Sequence, residues 1–235
     1  MRVVDKIPPL RLDRHRQSAP QVFDAIRVLI IALDLPPGAV LVRGELADHF
    51  GLSQTPIRDA LMRLAEEGLV DIFPQHATIV SRIDIASALE VHFLRRSIEL
   101  EILHTLCEIP QAELLALVGT LRSHLRVQQA CLDPLDFAAL ADADQAFHRA
   151  MYTAAGVANL WSLVCQRSGQ IDRLRRLNLP ARGKAQAIVA DHDRILQALA
   201  ARDKNAAQSA LRDHLSGTLS FVKEIRKLHP DWIKE

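Results

Sequence analysis

Four residues of this 235-residue chain have types and spacings that together suit a metal ion: Asp144, His148, His192 and His214. Asp144 and His148 stand four apart, one helical turn, so a single helix can offer a carboxylate oxygen and an imidazole nitrogen from one face. The stripe around them reads Phe137, Ala141, Asp144, His148, Met151. His192 falls in the stripe Ile188, His192, Ile195, Leu199, and His214 in Ala207, Leu211, His214, Thr218, Phe221. Ionisable groups therefore replace apolar residues on the inward faces of three helices. Burying such groups unpaired is expensive, so they must find partners. Mutual hydrogen bonds in a polar pocket would satisfy any one of these histidines. Four converging groups are satisfied more economically by a divalent ion, and one carboxylate with three imidazoles suits zinc, nickel or manganese alike.

The elements that must position these residues are helical. From residue 85 onward the apolar positions recur with helical period over 85–108, 111–131, 135–155, 159–177, 184–201 and 205–228. Breaks fall at Pro110, Asp133-Pro134, Gly156, 180–183 and Arg202-Asp203. Six helices with short connections predict an antiparallel all-α bundle. Residues 81–84 read as a linker to it, and residues 1–19 as an N-terminal tail carrying five basic side chains, Arg2, Lys6, Arg11, Arg14 and Arg16. Such a stretch is read as a solvated tail before a phosphate-binding arm.

Between tail and linker, residues 20–80 carry a different pattern. A helix over 21–34 turns Val22, Ile26, Leu29, Ile30 and Leu33 inward and ends at Pro36-Pro37-Gly38. Two short amphipathic helices follow, joined by Gly51-Leu52-Ser53. In the second, Thr55 is the expected N-cap, Pro56 the first helical residue, and Ile57, Leu61 and Leu64 the buried stripe. Thr55, Arg58, Asp59, Met62, Arg63 and Glu66 stay outside, with Ser53 and Gln54 just ahead, and Gly68 stops the helix. The pattern alone also suits a solvated helical hairpin. Residues 69–73 and 78–80 then read as two strands around the Pro74-Gln75-His76-Ala77 turn, and a hairpin directly after a helix-turn-helix is a wing.

The string Pro36-Pro37-Gly38, then E-L-A-x-x-x-G-L-S-x-T-P-I-R-x-A-L-x-R-L-x-x-E-G-L-V, resembles the winged-helix domain of the GntR superfamily of bacterial transcription regulators. The resemblance implies a DNA-reading face made of Arg43, Ser53, Gln54, Thr55, Arg58, Arg63 and the wing residue His76. Two departures stand out: Gln54 occupies a place that usually holds arginine, and Gln75-His76-Ala77 replaces an Asn-Arg-Gly wing. Both remove fixed charge from the expected phosphate contacts. In the second half, D-x-x-x-H at Asp144–His148, the pair Asp191-His192 and the late His214 resemble the metal-binding positions of the FCD effector domain of the FadR-like branch. Asp191 precedes a ligand by one residue and is expected to face away. The resemblance also places Arg95 where such domains carry an arginine for an effector carboxylate, the competing reading being a surface salt bridge with Glu99. It implies a homodimer on double-stranded operator DNA, answering to a small carboxylate.

Composition narrows the alternatives. Net charge is +1, and residues 1–80 hold nine Lys/Arg against ten Asp/Glu, so DNA binding must rest on local placement. Cys107, Cys131 and Cys165 are widely spaced among apolar residues and read as reduced packing residues. Trp161 and Trp232 also read as packing residues. There is no phosphate-binding glycine loop and no Ser-His-Asp or Cys-His arrangement. No apolar run approaches the roughly 20 residues of a membrane span, and no signal peptide opens the chain, which implies a cytoplasmic protein. A metal-dependent hydrolase would leave the winged helix unexplained and lacks an obvious general base beside the cluster. A purely structural ion is the other alternative.

Overall fold

The computed structural model describes residues 3–9, 12–73 and 77–234. Its elements are α1 (Ser18–Ala32), β1 (Val40–Leu41), α2 (Arg43–Phe50), α3 (Gln54–Glu66), β2 (Val70–Phe73), β3 (Ala77–Val80), α4 (Ile85–Leu106), α5 (Gln111–Ala130) and α6 (Phe137–Ala154). These are followed by α7 (Ala158–Arg167), α8 (Gly169–Asn178), α9 (Lys184–Ala200), α10 (Lys204–Ser216) and α11 (Val222–Leu228). The chain is mostly α-helical, with an N-terminal winged helix-turn-helix. It divides into two compact units: Met1–Ala88 with Arg167–Arg176 and Lys223–Glu235, and Leu89–Gln166 with Leu177–Val222.

In the first unit, α1, α2 and α3 bury one apolar face each on a shared core of Val22, Ile26, Ile30, Leu46, Ile57 and Leu64, all fully buried. The helix-turn-helix is flanked by a three-stranded antiparallel sheet in the order β1-β3-β2, β1 preceding it and β2 and β3 following, with Val70 opposite Val80 and Val40 opposite Ile79. The two-residue β1 is too short for period-2 patterning to reveal, and the sequence reading missed it. Three local expectations are corrected. Ser53, not Thr55, is the N-cap of α3, and Pro56 is its third residue; proline is tolerated there because the first turn's N–H groups have no intrahelical partner. Leu33 does not turn inward but caps α1 in the left-handed conformation, φ 67°. Within the tail, Ile7 is buried and joins this core, so that stretch is anchored at one point at least. Arg2 and Arg11 lie outside the described residues.

Residues 81–84 are tied down inside this unit. Ile83 is fully buried and pairs with Ile233, its N–H donating to Trp232 O at 2.7 Å, while Lys234 Nζ donates to Asp84 Oδ2 at 2.9 Å. Arg173 on α8 is also fully buried, and its guanidinium donates only to neutral oxygens: Ser81 O at 2.7 Å, Ser81 Oγ at 3.2 Å and Gln170 Oε1 at 2.6 Å. Burial pushes its pKa down to about 10, the nearby Asp71 charge only partly opposing this.

In the second unit, α5 packs on α6 and α9, and α9 on α10, around Leu103, Leu121, Phe147, Met151, Leu199 and Leu211. Two of the six expected helices are divided. The segment expected over 159–177 breaks at Ser168 into α7 and α8, and the one expected over 205–228 ends at Gly217 and resumes as α11. Helical period continues across both breaks, which is why the pattern alone does not show them. Cys107 and Cys131 are buried, Cys165 is half-buried, and none of the three is in a disulfide. Trp161 packs edge-on to Tyr152, centroids 5.3 Å apart, and Trp232 stacks on His229. None of the described helices is long and apolar enough to cross a membrane.

Candidate functional site

The second unit brings Asp144, His148, His192 and His214 together, one ligand atom of each lying within 4.8 Å of all the others. Helical period places Asp144 and His148 on one face of α6, His192 in the buried stripe of α9, and His214 at the last turn of α10. The three Nε2 atoms form a triangle with edges of 3.1, 3.2 and 3.2 Å, and Asp144 Oδ1 lies 3.5 Å from His192 Nε2.

Proton placement around the triangle follows from what sits behind each ring. Gln128 on α5, fully buried, donates through Nε2 to Ala143 O at 3.1 Å, which leaves its Oε1 to accept from His192 Nδ1 at 2.7 Å. His192 therefore presents an Nε2 lone pair inward. His148 Nδ1 lies 2.9 Å from Glu99 Oε2, close but bent away from ideal hydrogen-bond angles, and His214 Nδ1 lies 3.7 Å from Asp191 Oδ2. With acceptors beside the Nδ1 atoms of His192 and His148, their Nε2 lone pairs face the triangle, and His214 Nε2 stands 3.2 and 3.1 Å from them. A shared cation about 2.1 Å from each nitrogen would occupy that convergence, and edges near 3.2 Å permit the common distance. The donor set and geometry thus fit a divalent ion, with outer partners that fix ring orientation.

Glu99 and Gln128 belong to the candidate site although the sequence does not single them out, and Asp191 is placed differently from expectation. Asp191 does not face away: its Oδ1 pairs with Arg194 at 2.6 Å while its Oδ2 turns to His214. The competing reading of Arg95, a surface salt bridge with Glu99, has the right partner but the wrong location. Glu99 is fully buried, and its Oε1 accepts from Arg95 Nε at 2.5 Å and from Tyr152 OH at 3.4 Å. Arg95 is buried as well, its Nη2 making no hydrogen bond. A signal was available, since His92, Arg95, Glu99, Ile102 and Leu106 share one stripe of α4. An inward carboxylate thus does stand beside the cluster, contrary to expectation, but Arg95 and His148 hold it on the side away from the triangle.

Charge states follow from burial and neighbours. Burial alone would raise the Asp144 carboxyl, but the positive charge that the neighbouring imidazoles carry when protonated, with that of Arg95, outweighs it and holds the carboxyl well below the usual carboxylate range. Burial pushes His148 down, aided by Arg95 and opposed by Glu99, and pushes His192 well below the ordinary value of 6.5. Both rings therefore stay neutral where an unfolded histidine takes up a proton. Folding stability must then fall as pH drops below 6.5, by about 1.4 kcal/mol per pH unit for each ring that refuses the proton. Thermal melts of chelator-treated protein at pH 7.5 and 5.5 check this; a lower Tm at 5.5 is expected.

On the first unit, Ser53, Gln54, Thr55 and Arg58 lie exposed along the first half of α3, and Arg43 opens α2, also exposed. Arg63 sits one turn beyond, its guanidinium 4.3 Å above the Phe23 ring of α1. His76 lies outside the described residues.

Residues 18–80 match the gntR family of bacterial regulatory proteins, and residues 90–217 match the FCD domain. The chain belongs to the GntR family and carries an FCD domain. An HTH-type transcriptional regulator in an unstable DNA locus of Streptomyces ambofaciens is 37% identical over 92% of this chain and 89% of its own length. The HTH-type transcriptional repressor RspR of Escherichia coli K12 is 27% identical over 92% of this chain and 93% of its own. McbR/YncC of E. coli shares the fold, with TM-score 0.71 at 21% identity over 89% of this chain and 98% of that one. The GntR chain is accordingly a DNA-binding transcription regulator, not an enzyme.

Proposed function

We propose that this GntR regulator is a cytoplasmic homodimer whose winged helices, at 20–80, read a two-fold operator, and whose helical domain, at 85–228, senses a small organic acid through a bound divalent ion. Asp144, His148, His192 and His214 hold the ion. The observation that carries the reading is the convergence of three imidazole Nε2 atoms, with edges of 3.1, 3.2 and 3.2 Å, beside the Asp144 carboxylate. When bound, the ion supplies a Lewis-acid position for a carboxylate oxygen. Arg95 supports the effector half: it is buried with Nη2 unpartnered, and a carboxylate there gains a charge-assisted hydrogen bond. Regulation requires the acid to bind two arrangements of the dimer with different affinity, so operator and acid must influence each other reciprocally.

Metal analysis of protein purified without added metal tests this, followed by a melting screen of small mono-, di- and hydroxy-carboxylic acids. About one ion per chain is expected, together with an acid that raises Tm in the ion-loaded protein and fails after chelation or in Arg95→Met. No ion would make the cluster a hydrogen-bonded polar pocket. An ion whose removal collapses the fold, with no acid response, would make it structural.

Operator contacts fall to Arg43, Ser53, Gln54, Thr55, Arg58, Arg63 and His76. Arg58 is exposed and its one ion pair, with Asp59 at 3.4 Å, is weak, so Arg58→Ala should leave Tm unchanged and cost about tenfold or more in operator affinity. Gln54→Arg should tighten binding and steepen log K against log salt by about 0.9 for a gained phosphate contact. Titrations at three salt concentrations read both; an unchanged slope and affinity for Gln54→Arg would remove position 54 from the interface.

A further inference from the structure

Residues 167–176 follow the FCD domain's first four helices in sequence, yet they fold into the winged-helix unit. Gly169 lies so close to Leu69 that an added Cβ would come within 2.7 Å of the Leu69 side chain. Beside that contact, Gly68 and Ser81 are joined by a closed hydrogen-bond network. Gly68, φ +69°, stops the recognition helix α3, and Ser81 follows the wing strand β3 directly. Gly68 O accepts from Ser81 Oγ at 2.6 Å and from Gln170 Nε2 at 2.7 Å. Gln170 Oε1 accepts from Arg173 Nη2 and from the Asp84 N–H at 3.0 Å, and Arg173 returns to Ser81 through both of its terminal nitrogens.

Arg173 is a poor choice for stability alone. It is fully buried without a carboxylate to pair with among the described residues, and Nε makes no hydrogen bond. An apolar side chain of similar length would avoid desolvating the charge. What the guanidinium supplies is direction: two terminal nitrogens aimed at one residue, and a third acceptor that relays to the end of α3. We infer that Gln170 and Arg173 are positioning residues for DNA reading, which set the angle between the recognition helix and the wing from 86 or more residues away in sequence. Neither touches DNA. They determine whether helix and wing meet the duplex together.

The test uses the full chain and a duplex that the wild-type protein selects from a random-sequence pool, beside a scrambled duplex of equal length. Gln170→Ala and Arg173→Met should each weaken the selected duplex tenfold or more while changing the scrambled one less than twofold, because phosphate attraction survives when register is lost. Ser81→Ala combined with Arg173→Met should cost less than the two single losses multiplied, since both act on one network. Gly169→Ala, which pushes the segment off Leu69, should reproduce the effect without altering any polar group. Selected-duplex affinity within twofold of wild type in Gln170→Ala and Arg173→Met overturns the inference. So does parallel loss on both duplexes that tracks a fall in Tm, which would make the network a matter of stability only.

Discussion

His192→Ala should abolish the metal binding proposed for the helical unit. The ring stands at the middle of the cluster, its Nε2 3.2 Å from each of the other two imidazole nitrogens and 3.5 Å from Asp144. It also lies flat on Phe147, centroids 4.3 Å apart and planes 8° from parallel, so its position is fixed before any ion arrives. Removing a supporting outer partner commonly costs about 10–100-fold in metal affinity, and removing a ligand should exceed that. Gln128 loses the N–H that its Oε1 accepts, and a cavity opens against Phe147; together these should destabilise the chain by about 2–5 kcal/mol even without metal. Metal analysis and urea unfolding on one preparation read both effects. His104→Ala is the control, since His104 lies apart from the cluster, paired with Glu108 at 3.4 Å, and should leave the metal content at the wild-type value. An ion retained at wild-type stoichiometry in His192→Ala would mean that the three other groups bind it alone.

The second large effect concerns the buried pair behind His148. Glu99→Leu strands the Arg95 guanidinium in the interior, and breaking a buried pair from one side costs about 3–5 kcal/mol. The burial that would raise the Glu99 carboxyl is outweighed by Arg95 and His148, which hold it far below the usual carboxylate range, so the charge being removed is one the site depends on. Adding Arg95→Met should recover most of that stability, because two apolar side chains replace two paired charges. Metal affinity should stay depressed in the double variant, since His148 Nδ1 still lacks its carboxylate. Urea unfolding of both singles and the double measures the first effect, and an ion titration of the double the second. A double variant no more stable than Glu99→Leu would show that Glu99 acts through His148 alone.

Where the candidate site's residues lie was largely legible along the chain, and the reason is local periodicity. A helix repeats every 3.6 residues, so the position of Asp144 and His148 on one turn, and of His192 and His214 in apolar stripes, follows from counting. The same counting put Ile57, Leu61 and Leu64 inward on α3 and left Ser53, Gln54, Thr55 and Arg58 outside, as they are. Where the period is too short to count, as in the two residues of β1, the pattern gives no signal, and where Ser53 and Thr55 both carry a hydroxyl, local chemistry favoured Thr55 while the helix begins after Ser53.

The groups behind the ligands depended on tertiary packing. Arg95 and Glu99 at i, i+4 look like an ordinary solvated pair, and only the bundle built over that face of α4 buries them against His148. Gln128 sits among exposed neighbours on α5, and its contacts exist because α6 and α9 both pack there. Asp191 was judged by its position on its own helix, but its partner His214 arrives from α10. The grouping of 167–176 and 223–235 with the winged helix arises in the same way, from hydrogen bonds spanning 86 to 150 residues. A helical pattern states which face is buried. What lies across that face is decided by elements distant in sequence, and no spacing within one helix encodes it.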